Sequence, residues 1–361
     1  MEIQKLKTSA PGRICLFGEH QDYLHLPVIT AAINLRIEIE GTKRNDRKFT
    51  FDLPDLNETD RFSFDGTVKY TKERDYLRSA FNVLVRENVN IPSGYDCTIR
   101  GKIPINSGTS SSSALIVVWI KFLLTIAEDY RADDPMEIAK LAHRAEVIEF
   151  NEPGGMMDHY ATSLGGVLFI EFKNPVKVEK LKSNLGSFVL GDSEEPKDTT
   201  GILARVKDGV LDILKDIKSN GVDINLEKTL FPEIKSKIQH LSADKIALVE
   251  GALSNREVTL KAYKLFHQDN IETKVVGSLL SDCQSILRDK LYISTPKLDR
   301  MINAAIDAGA TGGKLNGSGG GGCMFVCAPN DPGKVAQAIS HVGGKPFIIE
   351  VDEGVRLDYF H

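Results

Sequence analysis

Ser107-Gly108-Thr109-Ser110-Ser111-Ser112-Ser113-Ala114 is a stretch of small residues that runs straight into an almost wholly apolar segment, Ala114 to Ile126. The apolar segment predicts a buried helix, and the serines place hydroxyls and free backbone N–H groups at its N-terminus. Small side chains let those amides approach an anion closely, and the helix dipole favours negative charge there. The stretch therefore predicts a polyphosphate cradle, although a serine run before a helix also serves as an N-cap or a solvated loop.

Working outward, Asp134-Pro135 reads as a cap and first turn of a second helix through Ile138, Leu141, Ala142, Ala145 and Ile148, stopping near Asn151-Glu152-Pro153-Gly154-Gly155. Upstream, Leu35 to Glu40 alternates apolar and charged residues, the period of a strand with one wet face. Downstream, Gly166 to Phe172 reads as a strand, and from Phe188 a further strand and a helix, Ile202 to Ile217, open a second lobe. The boundary is expected near residue 180, giving lobes 1–180 and 181–361. Helical periodicity returns at Ala243 to Phe266 and Leu298 to Ala308, followed by strands at Cys323 to Cys327 and Pro346 to Val351. Helices and strands mixed without a regular strand-helix repeat predict an α+β fold in preference to a doubly wound parallel sheet.

Composition narrows the partner. With 361 residues, 42% of them hydrophobic, the chain can bury more core than most single domains hold. Its 45 basic and 50 acidic side chains give a net charge of -5, and no long basic stripe favours nucleic acid, so a small molecule is expected. Charges in Met1-Glu2-Ile3-Gln4-Lys5-Leu6-Lys7 stand where a signal peptide needs an apolar core, and no apolar run reaches bilayer length, so a cytoplasmic protein without membrane partners is expected. Five cysteines without CxxC spacing suggest buried thiols, neither a disulfide framework nor a zinc site.

Two further stretches carry chemistry. Asn316-Gly317-Ser318-Gly319-Gly320-Gly321-Gly322-Cys323 fits GxGxxG if read without context. A dinucleotide fingerprint follows a strand and opens a helix, whereas this run is expected to follow the helical segment Leu298 to Ala308 and to open a strand. Close approach to a ligand or to the phosphate loop explains so many glycines better. In Pro11-Gly12-Arg13-Ile14-Cys15-Leu16-Phe17-Gly18-Glu19-His20-Gln21-Asp22-Tyr23, a short apolar strand runs into a polar cluster. Taken in isolation the cluster is an ordinary polar turn, but Glu19, His20 and Asp22 are also able to hydrogen-bond several hydroxyls at once.

In this order the three stretches resemble the superfamily of galactokinase, homoserine kinase, mevalonate kinase and phosphomevalonate kinase. Pro11 to Tyr23 resembles the galactokinase signature, with Gln21 in place of threonine, and Pro104 to Ala114 resembles the superfamily phosphate loop. Lys314-Leu315-Asn316-Gly317-Ser318 and the glycines through Gly322 are similar to the mevalonate kinase version of the third motif. Pro153-Gly154-Gly155-Met156-Met157-Asp158 resembles the galactokinase stretch that ends on the catalytic aspartate.

The resemblance implies a two-lobed α+β fold. Its N-terminal lobe would be ribosomal-protein-S5-like and its C-terminal lobe ferredoxin-like, with the active site between them. It also implies ATP as co-substrate, Mg2+ as cofactor, and the following roles. Asp158 would act on the acceptor hydroxyl, as a full base or an orienting charge, with Arg13 holding it ionised. Ser112 and Glu146 would hold the metal. Gly108, Thr109, Ser110, Ser111, Ser112 and Ser113 would wrap the phosphates, with Gly317, Gly319 and Gly320 closing from the second lobe. Glu19, His20, Asp22 and Asp158 would contact the acceptor, a sugar phosphorylated at its anomeric hydroxyl. Cys15 stands where galactokinases have asparagine, and Leu24-His25-Leu26-Pro27 where they have asparagine and glycines, so galactose itself is not implied. Beside this reading stand a mevalonate-type kinase, which shares Leu16 to His20, and a non-catalytic sugar and ATP sensor. The sequence leaves the adenine pocket and the oligomeric state open.

Overall fold

The computed structural model describes residues 3–105, 107–182, 184–196 and 199–361. Met1 and Glu2 of the charged N-terminus and Asn106 of the phosphate loop lie outside them.

The first sheet is built on β1 (Lys5–Phe17) and β2 (Val28–Lys43), joined through the turn that holds Glu19 to Tyr23. β3 (Lys48–Leu53), β4 (Glu58–Ser63) and β5 (Tyr95–Gly101) extend it beyond β2 in the order β2-β5-β3-β4, with β3 and β5 parallel. β6 (Val167–Glu171) pairs with the start of β2, and β7 (Lys177–Leu181) with β6. The chain then moves to a second, antiparallel sheet. It comprises β8 (Phe188–Asp192), β9 (Gly312–Asn316), β10 (Cys323–Cys327) and β11 (Lys345–Ile349), in the order β11-β8-β10-β9. The last strand, β12 (Arg356–Phe360), returns to the first sheet and pairs antiparallel with β1. Arg36 fastens this return, donating to the Asp352 carboxylate at 2.8 Å and to the carbonyls of Glu353 and Gly354.

α1 (Tyr76–Arg86) and α2 (Ser111–Ile126) cover the first sheet. The apolar run of α2 is buried as its composition predicts, with Trp119 fully enclosed among Phe49, Phe51 and Phe122. α3 (Pro135–His143) is capped by Asp134, whose carboxylate accepts from the amides of Met136 and Glu137. Its expected continuation to Ile148 winds differently: Arg144–Ile148 is π-helical, with Glu149 N donating to Arg144 O, five residues back, at 2.9 Å. α4 (Met157–Leu164) follows the glycine pair. The remaining helices are α5 (Thr199–Ser219), α6 (Phe231–Ile234), α7 (Ala243–Phe266), α8 (Thr273–Asp289), α9 (Pro296–Asp307) and α10 (Pro332–His341).

One expectation needs correction. The glycine run does not follow a helix: β9 lies between α9 and the run, and Asn316 pairs with Cys323 across it. Gly312-Gly313-Lys314-Leu315-Asn316 contains no β-branched or aromatic residue, so it carries little strand signal. The run thus turns strand into strand, and it still opens no helix. Among the described residues no helix is long and apolar enough to cross a membrane.

Candidate active site

A cavity of about 560 Å³ lies between the turn after β1, the start of α2, the segment from Glu146 to Asp158, and Gly317-Ser318. At its floor Arg13, on β1, is almost fully buried and meets Asp158 in the first turn of α4. Its Nε and Nη2 both donate to Asp158 Oδ1, at 2.8 and 2.7 Å. Burial pushes the Asp158 carboxyl up, but the guanidinium beside it and the Ser110 hydroxyl together outweigh burial, and the net pKa falls below the usual carboxylate value.

The phosphate loop is clamped from both lobes through its carbonyls. Gly108 O accepts from Arg13 Nη1 and from Asn316 Nδ2, the latter at 2.8 Å; Thr109 O accepts from Arg13 N and Ser107 O from Cys323 N. The first-turn amides of Ser111, Ser112 and Ser113 have no intrahelical carbonyl to bond, and the loop reaches them through Ser110 in the left-handed region at φ 61°. The Ser110 hydroxyl is buried beside the Asp158 carboxylate and helps to hold it ionised. Gly317 makes this close approach possible. It has φ 81°, and a Cβ there would lie 2.8 Å from the Gly108 backbone. Gly317→Ala is expected to lower stability by about 1–3 kcal/mol, read as a reduced melting temperature.

Glu146 sits in the π-helical segment, whose widened turn carries it inward. Its Oε2 accepts from Ser113 Oγ at 2.7 Å and bonds His159 Nε2 at 2.8 Å. Burial would raise this carboxyl, but His159 and the hydroxyls of Ser112 and Ser113 hold it below its ordinary value. A carboxylate oxygen and a serine hydroxyl next to a phosphate loop fit Mg2+, which takes oxygen ligands and keeps several waters. Among the described residues no cluster of three or more His, Cys, Asp or Glu side chains is set to hold a metal without other ligands.

The three residues expected at the acceptor all line the cavity, in unequal states. Glu19 forms a fully buried ion pair with Lys314 of β9 at 2.9 Å. Both ring nitrogens of His20 are engaged, Nδ1 with Tyr23 Oη at 2.7 Å and Nε2 with Ser318 O at 3.0 Å. His20 therefore ties the turn to the glycine run. Asp22 accepts from Met157 N at 3.2 Å and has no cationic partner among the described residues. Burial, with the Asp158 charge adding to it, raises the Asp22 carboxyl to about 6. Gly155 packs on Asp22 so closely that a Cβ would fall 1.8 Å from Oδ2.

Sequence reasoning missed several participants. Lys314 and Asn316 are the rungs that bind β9 to β1, since Asn316 Oδ1 also accepts from Cys15 N at 2.9 Å. The far end of the cavity is an apolar slot of Ile37, Leu53, Leu56, Ile99, Ile103 and Leu115. Its members come from three strands, two loops and a helix, so no local pattern marks it.

The GHMP kinases N-terminal domain model matches residues 75–166, the GHMP kinases C-terminal model residues 270–345, and the galactokinase galactose-binding signature residues 4–43. The chain belongs to the GHMP kinase superfamily. It is 30% identical to a mevalonate kinase of Thermococcus sibiricus over 98% of each chain. It is 26% identical to a galactokinase of Mannheimia succiniciproducens over 90% of this chain and 86% of that one. In fold it resembles Lactococcus lactis galactokinase in complex with galactose, with a TM-score of 0.84 and 22% identity over 98% of this GHMP kinase and 95% of that chain.

Proposed function

We propose that this GHMP kinase transfers the γ-phosphoryl group of ATP to a hydroxyl of a sugar, with the anomeric hydroxyl as acceptor by analogy with galactokinase. The observation that carries the sugar reading is Asp22. It is a buried carboxylate without a cationic partner among the described residues, and of it and its neighbour Asp158 only the latter has Arg13 against it. Such a group binds hydroxyl donors and repels a carboxylate-bearing acceptor such as mevalonate.

Arg13 and Asp158 serve the transfer. Asp158 Oδ1 is spent on Arg13, so the remaining oxygen orients the acceptor hydroxyl and receives its proton as the new O–P bond forms and the bond to ADP breaks. A carboxylate held this acidic accepts the proton only late in the transfer, so orientation is its larger contribution. The amides of Ser111 to Ser113 stabilise the β- and γ-phosphates, and the apolar slot takes the adenine. Glu146 and Ser112 would hold Mg2+, which neutralises phosphate charge.

A mevalonate-type acceptor is the second reading, favoured by the 30% identity to the Thermococcus enzyme. The intact Arg13–Asp158 pair speaks against a silent sensor. An ADP-release screen against neutral hexoses, uronic acids, mevalonate and homoserine decides among them. Turnover of a neutral sugar is expected, turnover of mevalonate alone overturns the sugar assignment, and no turnover with any acceptor favours the sensor.

A further inference from the structure

His159 has no role in any of the motifs above, yet it is 1% exposed and bonded to Glu146. A histidine kept only for packing normally satisfies both ring nitrogens or turns one to water. Here Nδ1 is buried without a partner, and leaving a buried polar atom unpaired costs about 1–3 kcal/mol. With a carboxylate oxygen at 2.8 Å, Nε2 carries a hydrogen and donates it to Glu146. The ring is held by His143, packed edge-on at 5.4 Å and 80°.

Glu146 would otherwise be poorly placed for precision. It projects from a π-helical turn, and such a turn leaves backbone groups in need of other partners; Ser79 Oγ takes the Ala145 carbonyl at 2.6 Å. Ser113 and His159 converge on Oε2 of its carboxylate, and the Ser112 hydroxyl, the other expected metal ligand, also bonds this carboxylate. Asp158 and His159 are consecutive in the first turn of α4, where neighbouring side chains diverge by about 100°. One therefore meets Arg13 while the other meets Glu146.

We propose that His159 is a positioning residue for the metal: its Nε2–H fixes Oε2 of Glu146 and so orients the carboxylate that would hold the cation, on the same helix, α4, that carries Asp158. The inference rests on the kinase reading above, with Glu146 as a metal ligand. Outer partners of this kind typically change metal affinity by about 10- to 100-fold when removed.

The test is Mn2+ binding to the full chain with a non-hydrolysable ATP analogue, read from the free-ion EPR signal, for the wild type, His159→Phe and His159→Gln. His159→Phe is expected to weaken Mn2+ by about 10- to 100-fold. The amide N–H of His159→Gln should restore most of that loss, and analogue affinity without metal should be equal in all three. Wild-type affinity in His159→Phe, or a His159→Gln as weak as His159→Phe, overturns the proposal. Should His159→Phe fail to fold, the wild-type 15N resonance of His159 Nε2 must move when Mg2+ joins the bound analogue; a resonance that stays put overturns it equally. A wild type that binds no metal with the analogue sinks the kinase reading as well, whereas equal tight binding by wild type and His159→Phe sinks this inference alone.

Discussion

Asp158→Asn is expected to lower turnover by about 10²- to 10⁴-fold while nucleotide affinity, measured by calorimetry, stays unchanged. Asparagine retains an oxygen for the Arg13 guanidinium, so the buried cation keeps a hydrogen-bond partner, and Arg13 also keeps Gly108 O. What is lost is the negative charge beside the acceptor hydroxyl and the ability to take its proton. The phosphate loop touches Arg13 through carbonyls alone, so its amides are not disturbed. Turnover within about twofold of wild type would remove Asp158 from the reaction. Mild acid should not mimic the substitution, because Arg13 keeps Asp158 ionised below the usual carboxylate range.

Asp22→Asn is expected to act in two opposite directions. In the fold the Asp22 carboxyl is raised from 3.8 to about 6 by burial and by the Asp158 charge. A carboxyl raised in this way stabilises the fold fully below its unfolded value and withdraws that stability as pH rises through 6. Asparagine does not ionise, so the variant should match wild type near pH 4 and exceed it above pH 7, by roughly 2–3 kcal/mol for a shift of this size. Paired melting curves at the two pH values check this, and an advantage that does not grow with pH would contradict it. The acceptor KM should rise sharply, and the acid limb that ionisation of Asp22 near pH 6 gives wild-type kcat/KM should vanish. The residue thus trades stability for an acceptor site.

The parts of the site that were legible in the sequence are those whose chemistry is local. The serine run precedes an apolar helix, so an anion cradle is suggested by the residues themselves, whereas the roles of Arg13 and Asp158 rest on the resemblance of their motifs, since locally Asp158 reads as a turn residue or a helix cap. The parts that were not legible depend on contacts distant along the chain. Nothing near Glu19 indicates that Lys314 neutralises it, and nothing near His20 indicates that Ser318 and Tyr23 occupy both of its nitrogens. β9 escaped because glycine and lysine fill a strand whose register is set by β10. The π-helical winding escaped because helical periodicity cannot distinguish a bond to the fourth residue back from one to the fifth. At the level of fold, the sequence patterns located β8, β10 and β11 of the second sheet but only β1, β2 and β6 of the first. The return of β12 to β1 has no counterpart in any pattern, since its partner lies nearly a whole chain away.

That return governs how the protein is born. On the ribosome, β1 emerges ahead of β2 and pairs with it, but the edge it offers to β12 stays open until the whole second sheet has been made. An exposed strand edge is a template for pairing with other chains, and contacts so distant in sequence close slowly. The nascent protein therefore carries β1 with one edge unprotected until β12 is translated and seals it.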